Sequence, residues 1–344
     1  MRGSQILIEP LPSGGHAAAL MVDGVLEDLL IDAPDTDIVP RVEAVYSAVV
    51  GRPIKGIGGT MVDLGTGQTG FLRTTQPPPS GARLMVQVTG SADSGKAPPV
   101  TDRIRLKGRL AILTPGKPGL NISRSIRDPD RRTALDTIAG RAMSEDGPDL
   151  GLILRSASED VADDEIVKEV TKLRRDWDLI SQTNQQAPKL VLAAPGASEI
   201  AWRDWKRTDV PVISNPRALA DQDVWEAIEA LRQPFVPLGA GGLYIEATRA
   251  LVAVDVNTGA DTSPAAALKV NIAAMRELPR HLRLRGLGGQ IVVDMAPLAK
   301  TQRKMVEEAL LGALRRDGVE TSIAGWTPLG HLELNRKRSR PPLV

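Results

Sequence analysis

The feature that most constrains this chain is a pair of short apolar runs near its C-terminal end, each ending in aspartate. Strand-like runs cover 250–256 and 290–294, and their polar ends are Asp255 and Asp294. Between and after them, 264–278 and 301–316 place apolar residues at helical spacing. Strands that alternate with helices predict an α/β domain, so this part of the chain is expected to build one sheet covered by helices.

The two aspartates predict a site if the two strands are neighbours. Side chains at the carboxyl ends of strands in an α/β sheet project into the crevice where ligands bind. Two carboxylates with no Cys or His beside them suit Mg²⁺, which can activate water and neutralise charge on a phosphoryl oxygen. Asn257, two residues after Asp255 on the same strand face, could orient a carboxylate. The alternative is structural, because Asp often ends a strand by capping a turn or the next helix.

Composition limits the chemistry and leaves the partner open. The 344 residues include no Cys, which excludes disulfides, a thiol nucleophile and a cysteine zinc site. Lys and Arg number 43 against 42 Asp and Glu, a net charge of +1. Residues 1–40 hold seven acids and one base (−6), whereas 275–344 hold thirteen bases and seven acids (+6). This asymmetry predicts a polyanionic partner, and the alternative is that both segments are solvated faces.

The rest of the chain predicts several smaller units. Asp23-Gly24 between apolar runs predicts a hairpin, and closely spaced strands over 42–100 predict a small barrel or sandwich. An apolar stripe over 161–180 predicts a helix, with Trp177 facing the core. The Pro- and Gly-rich segment 234–242 is expected to be a linker. No run is long enough for a membrane helix and no signal peptide is evident, so we expect a cytoplasmic protein without membrane insertion.

Several of these stretches resemble the catalytic region of the ribonuclease E/G family. Residues 246–258 are similar to its nuclease strand, 271–274 and 282–294 to a second signature, and 330–338 to a third. The run 282–294 is long and specific, and the similarity covers nearly the whole chain, though weakly over 195–240. The resemblance implies an α/β multidomain protein that cleaves single-stranded RNA.

The family resemblance also implies a domain order. It comprises a ribonuclease H-like subdomain in two parts, 1–36 and 188–237, interrupted by an OB-type RNA-binding barrel at 37–106 and a 5′-sensor region at 107–187. A DNase I-like catalytic domain follows at 238–344. In the family, the residues matching Asp255 and Asp294 hold a catalytic Mg²⁺, and the one matching Asn257 supports them. The implied reaction is hydrolysis that leaves 5′-phosphate ends, in the processing or decay of ribosomal and messenger RNA.

The resemblance further implies RNA contacts outside the catalytic domain. Phe71 matches a stacking residue of the family's barrel, Met61 replaces a second aromatic, and Lys96 is similar to a basic RNA contact. Arg155 and Ser156 match the 5′-phosphate sensor, where a planar guanidinium and a hydroxyl can bind a terminal phosphate. Arg124 is expected to line the same basic region. For Arg155 the alternative is an ordinary surface ion pair, for instance with Glu159.

Departures from the family pattern keep other interpretations open. Pro328-Leu329-Gly330 stands where the family has Arg-Phe-Gly, and Met295-Ala296-Pro297 follows Asp294 where the family has a second acid. Without cysteines, we expect a short, ribonuclease G-like form with no zinc; if two copies form a homodimer, no cysteine zinc link joins them. One alternative is a catalytically impaired RNA-binding protein of the same fold. Another is an unrelated Mg²⁺-dependent phosphoesterase acting on a small molecule.

Overall fold

The computed structural model describes residues 3–34, 39–54, 56, 58–65, 67–92, 95–144, 149–183, 187–239 and 241–343. Within these residues the strands are β1 Ser4–Pro10, β2 His16–Val22, β3 Val25–Ile31, β4 Val45–Ile54, β5 Gly59–Gly65, β6 Gln68–Arg73, β7 Arg83–Val88, β8 Pro99–Thr101, β9 Leu106–Lys107, β10 Ala111–Pro115, β11 Gly119–Ile122, β12 Leu150–Leu154, β13 Lys189–Leu192, β14 Val212–Ser214, β15 Phe235–Leu238, β16 Gly241–Ala247, β17 Val252–Asn257, β18 Gly289–Asp294, β19 Thr321–Trp326 and β20 Leu332–Arg336. The helices are α1 Pro129–Ala142, α2 Asp163–Thr183, α3 Ala197–Trp205, α4 Val224–Leu231, α5 Pro264–Leu284 and α6 Arg303–Asp317.

The chain divides into two compact units, and the division falls inside the first hairpin. Among the described residues, one unit comprises the chain from 217 onward together with the hairpin tip Met21–Leu29, and the other comprises 3–20 and 30–216. The predicted hairpin is confirmed, because Asp23 and Gly24 have φ of 51° and 80°, the pair of positive values that a tight two-residue turn requires. β1 to β3 belong to a sheet of order β14-β1-β2-β3.

The predicted small barrel is present. The strand order β4-β5-β6-β8-β7 closes on itself through a β4–β7 pairing, and β13 adds to β4 outside the ring. Its interior is a compact apolar cluster that includes Val50, Val62, Leu72 and Val86. A five-strand closed barrel of this kind is compatible with the OB fold, which binds oligonucleotides in other proteins.

A third sheet, of order β11-β12-β10-β9, packs against α1 and α2. The predicted apolar stripe on α2 is confirmed, since Ile166, Val170 and Ile180 are buried and Trp177 packs partly buried against the same core. Helix α1 was not expected from its sequence. Its start is nevertheless encoded, because Pro129 occupies the first turn and the Asp128 carboxylate accepts a hydrogen bond from the Asp130 N–H.

The C-terminal sheet has the order β15-β16-β17-β18-β20-β19. Its core side packs on α5 and α6 around residues such as Leu243, Val254, Ile291 and Leu334. The expectation of a linker at 234–242 was wrong. Residues 235–238 form β15, which pairs antiparallel with β16, so the Pro and Gly residues there belong to an edge strand and its turn.

Helix α5 is longer than its pattern predicts. It was expected to end near residue 278 but continues through Pro279 to Leu284. A proline inside a helix costs about 3 kcal/mol because it removes one backbone hydrogen bond. Leu278, Leu282 and Leu284 are buried on either side of Pro279, and their burial offsets that cost. No helix among the described residues combines the length and the apolar character needed to cross a bilayer.

Candidate active site

The two aspartates that the sequence singles out lie directly opposite each other. β17 and β18 are parallel neighbours, and their register pairs Asp255 with Asp294. Side chains alternate along a strand, so buried Val254 and Val293 face the helices while both aspartates face the opposite, open side of the sheet. Neighbouring strands lie about 4.8 Å apart, which places the two exposed carboxylates side by side.

Asn257 contacts the first of these carboxylates. Its Nδ2 donates a hydrogen bond of 2.6 Å to Oδ2 of Asp255. Residues 255 and 257 share the open side because two positions separate them. The amide therefore holds one carboxylate oxygen of Asp255 and leaves Oδ1 for another ligand.

His331 is a component of the site that the sequence pattern did not indicate. It follows the turn between β19 and β20, and its Nε2 lies 3.7 Å from Oδ1 of Asp294. The turn also carries Pro328 and Leu329, whose side chain is 85% exposed. His331 is one of three histidines in the chain, and its position inside the third family-like stretch was the available signal.

A buried asparagine anchors the loop after Asp294. The Asn271 side chain accepts a hydrogen bond from the Ala296 N–H at 3.1 Å and donates one to the Ala296 carbonyl at 2.9 Å. Asn271 is fully buried in α5, so these two bonds fix residue 296 against the helix. This role was also missed, since the sequence places the two residues far apart.

The open side of the sheet is acidic. Its exposed strand residues include four carboxylates, those of Glu246, Asp255, Asp294 and Glu333. Within β15 to β20, Arg336 is buried on the core side, and no exposed Lys or Arg occurs in these described strands. An RNA phosphate would meet repulsion here unless a cation intervened.

The donor set at Asp255 and Asp294 fits a hard divalent cation held partly by water. Mg²⁺ typically takes one or two carboxylates and keeps several waters. No group of three or more His, Asp or Glu side chains in the described part of the chain forms a ready-made metal cage. A two-carboxylate site open to solvent is therefore the metal arrangement that these residues can support.

The barrel places the predicted stacking residues together. Phe71 on β6 and Met61 on β5 are cross-strand partners on the outer surface, and both are half-buried. The Phe71 ring lies over Gly59, where an added Cβ would come within 2.6 Å of ring atom Cζ. Lys96 is exposed, three residues before Pro99, whose strand pairs with that of Phe71.

The predicted sensor residues follow adjacent parallel strands. Arg124 comes two residues after β11 and Arg155 directly after β12, so both lie at one edge of their sheet. Arg124 and Ser156 are exposed. The Arg155 guanidinium donates to the Gly108 carbonyl at 2.6 Å and to Asp204 at 2.9 Å. Arg155 thus forms the ion pair that the alternative interpretation predicts, with Asp204 as the partner and not Glu159.

Asp204 itself belongs to a small charged network. Burial raises its pKa, but hydrogen bonds and charges from Arg203 and Arg155 outweigh burial, so the pKa lies below its usual range. Glu43 behaves in the same way, since Arg203 and Lys107 overcome the effect of its burial and lower its pKa. Arg155 is thus held by an ionised carboxylate that a terminal phosphate would have to displace or share.

Four arginines of the basic C-terminal segment form ion pairs with acids of the same chain. Arg283 is buried among Glu27, Asp28 and Asp317, and Arg340 bonds to Asp28 at 2.5 Å. Arg336 lies 2.6 Å from Asp317, and Arg280 lies 2.8 Å from Glu277. These four arginines therefore have acids of the same chain as partners, and the charge asymmetry partly reflects ion pairs within the chain.

Fold and site together define a multidomain α/β protein in which a closed five-strand barrel precedes a carboxylate-bearing sheet. A family model, the Ribonuclease E/G family, matches residues 105–220 and 212–339. The chain belongs to the ribonuclease E/G family.

Individual relatives agree over most of the chain. It is 26% identical to ribonuclease G of Salmonella typhimurium over 402 aligned positions, covering 98% of this chain and 80% of that protein. It is 27% identical to ribonuclease E of Synechocystis sp. over 87% of this chain and 29% identical to ribonuclease E of Nostoc sp. over 86%. It spans only 52% and 51% of those two longer proteins.

Proposed function

We propose that this chain is a Mg²⁺-dependent endoribonuclease that cleaves single-stranded RNA and leaves 5′-phosphate ends. The observation that carries the proposal is the register of Asp255 against Asp294 at the carboxyl ends of two parallel strands. Relatives named ribonuclease G and ribonuclease E support it. The corresponding role is the processing or decay of ribosomal and messenger RNA in the cytoplasm.

In this proposal a few side chains bind the cation, orient its ligands and anchor the adjoining loop. Asp255 and Asp294 would hold the cation, and Asn257 fixes the orientation of Asp255 through its 2.6 Å hydrogen bond. A bound Mg²⁺ supplies Lewis-acid stabilisation of phosphoryl charge and lowers the pKa of water. Asn271 holds the loop at Ala296 and thereby limits movement of the segment that follows Asp294.

The other units would hold the substrate. Phe71 and Met61 offer an outer barrel surface for a base, Lys96 adds a nearby cation, and stacking of this kind is tolerant of sequence. Arg155, Ser156 and Arg124 would receive a 5′-phosphate at the edge of β11 and β12. The domain limits proposed from the sequence are 1–36, 37–106, 107–187, 188–237 and 238–344. The limits at 106/107 and 237/238 fall within β9 and β15, and the boundary at 36/37 lies outside the described residues.

Cleavage of a 5′-monophosphorylated single-stranded RNA, with and without Mg²⁺, tests the proposal. Asp255→Asn and Asp294→Asn should each lower kcat at least about 100-fold, because each removes a charged ligand. RNA affinity should stay within about threefold of wild type. Glu308→Gln, which changes an exposed carboxylate on α6, is the matched control and should cleave normally.

The alternative of an impaired RNA-binding protein rests on two departures, Met61 in the barrel and the Pro328-Leu329 turn beside His331. That alternative predicts RNA binding without cleavage at any Mg²⁺ concentration. Failure to bind RNA, with turnover of a small phosphoester, would instead indicate an unrelated phosphoesterase.

A further inference from the structure

One row of side chains crosses the open side of the C-terminal sheet at the level of the two aspartates. The strand registers pair Phe235 with Tyr244, Tyr244 with Asp255, and Asp255 with Asp294. Residues in direct register project to the same side of a sheet. Two aromatic rings and two carboxylates therefore lie on four adjacent strands in a single line.

Both aromatic rings in this row face water. Phe235 is 43% exposed and Tyr244 is 39% exposed, and their ring centroids lie 5.0 Å apart at an interplanar angle of 47°. The chain has only two Phe and two Tyr, so half of these residues stand beside the aspartates. Exposure of large rings on an otherwise polar sheet face loses the stabilisation that burial would give.

Packing against the sheet explains part of this arrangement for Phe235. The Phe235 ring covers Gly242, where an added Cβ would come within 2.4 Å of ring atom Cε2. Gly242 is the register partner of Asn257, so the ring also lies beside the polar group that holds Asp255. Tyr244 lies between Phe235 and Asp255 in the strand register, and its side chain is exposed.

We propose that Tyr244, backed by Phe235, is a stacking site for a nucleobase of single-stranded RNA next to the bond that is cleaved. The inference rests on the proposed nuclease function and deepens it. Tyr244 is one strand away from Asp255, a spacing of about 5 Å, so a base on its ring belongs to a nucleotide adjoining the phosphate at the carboxylates. The face offers no exposed Lys or Arg on its described strands, and stacking supplies an attraction that does not depend on charge.

A double-mutant cycle of RNA affinities (the affinity cycle) tests this site in the full chain without requiring cleavage. The cycle removes the Tyr244 ring and one base of the RNA, singly and together. The probe is a single-stranded RNA decamer in which one abasic position is moved along the sequence, bound in Mg²⁺ to a chain carrying Asp294→Asn. On intact RNA, Tyr244→Ala should weaken binding about tenfold, or about 1.4 kcal/mol. When the abasic position matches the stacked base, the same substitution should change the affinity less than twofold.

Control variants separate stacking from a folding defect. Tyr244→Phe keeps the ring and should bind within about twofold of its parent, and all variants should melt at similar temperatures. Trp202→Ala removes another aromatic side chain, 49% exposed on α3, and should leave the affinity unchanged. In the cleaving enzyme, Tyr244→Ala should raise KM about tenfold with little change in kcat.

Three results would overturn the inference. One is equal affinity of Tyr244→Ala and its parent for every RNA, and another is the same loss at every abasic position. The third is a change in oligomeric state caused by Tyr244→Ala, which would make this face a contact between copies of the chain. Absence of cleavage by the wild-type chain would contradict the proposed function instead, and the affinity cycle would still decide on the stacking site.

Discussion

At the scale of single residues, His281 shows how strongly a local environment can shift a titration. It is buried in α5, and Arg285 Nη1 lies 2.8 Å from its Nδ1. Arg280 Nη2 lies 3.3 Å from its Nε2. A guanidinium can only donate, so both ring nitrogens face donors, and a protonated ring, which has no acceptor, is disfavoured. Burial, followed by the charges of Arg280 and Arg285, lowers the pKa of His281 to about 3.

This lowered pKa predicts a pH-dependent stability. In the unfolded chain an ordinary histidine gains a proton below about pH 6.5, while folded His281 stays neutral down to about pH 3. The unfolded state therefore binds more protons as the pH falls. His281 should cost the folded protein about 2 kcal/mol between pH 7 and pH 5, a loss that is absent above pH 7.

Urea unfolding of wild type and His281→Gln at pH 7 and pH 5 measures this effect. The difference in free energy of unfolding between the two proteins should shift by about 2 kcal/mol in favour of the variant at the lower pH. His16→Gln, at an intermediate surface position on β2, controls for general effects of losing a histidine. Parallel pH profiles for wild type and His281→Gln would show that His281 is not the responsible group.

Residues differ in how far the sequence alone could reveal them. Asp255 and Asp294 were predictable because each ends an apolar strand, and the pairing of those strands then brings them together. His331 and Asn271 were not, because their partners come from turns and loops whose positions depend on the whole sheet. Periodicity assigns a side chain to a face, but it does not say which distant backbone that side chain will meet.

At the scale of elements, two parallel strand pairs place their polar residues in the same way. β17 and β18 end in the carboxylate pair, while β11 and β12 are followed by Arg124 and Arg155. Carboxyl ends of neighbouring parallel strands meet at one sheet edge, which is where α/β folds gather ligand-binding groups. The second edge carries the two arginines that the proposed function assigns to a terminal phosphate.

Arg155→Gln tests the second edge. The ratio of kcat/KM for 5′-monophosphorylated over 5′-hydroxyl RNA should fall to about one, because Gln lacks the charged planar fork that binds phosphate. Arg175→Gln, which changes an exposed arginine on α2, should leave the ratio at the wild-type value. The Arg155–Asp204 pair is about a third exposed, so its loss should cost under about 1 kcal/mol of stability. A wild-type ratio that is already one would remove the proposed role of Arg155.

Elements that the sequence missed share a physical cause. β15 contains Pro237 and leads into a Gly-rich turn, a composition typical of loops, yet as an edge strand it pairs through β16 on one side only. Helix α1 buries only a few small or medium apolar residues, so its periodic signal is weak. In both cases contacts with other elements determine the structure, and the local amino-acid composition does not reveal those contacts.

At the scale of the whole molecule, the acidic N-terminal segment and the basic C-terminal segment form ion pairs with each other. The acidic hairpin tip, with Glu27 and Asp28, belongs to the same compact unit as the basic C-terminal region. Burial would lower the pKa of Arg283, but Asp28, Asp317 and Glu27 outweigh it and raise the pKa, so the guanidinium stays charged. Part of the charge asymmetry between the two ends of the chain therefore consists of ion pairs within one unit.

The last prediction concerns Asp28, which is 7% exposed and contacts both Arg283 and Arg340. Asp28→Asn leaves two arginines with fewer counter-charges in a poorly solvated site, so the free energy of unfolding should fall by about 2–4 kcal/mol. Glu27→Gln should cost less, because the Glu27 side chain is 40% exposed and water can replace part of its interaction. Glu226→Gln, at an exposed position on α4, should lie within about 0.5 kcal/mol of wild type. Urea unfolding at pH 7 measures all three variants; if Asp28→Asn matched Glu226→Gln, these ion pairs would not stabilise the unit, and the segregated charges would need a different explanation.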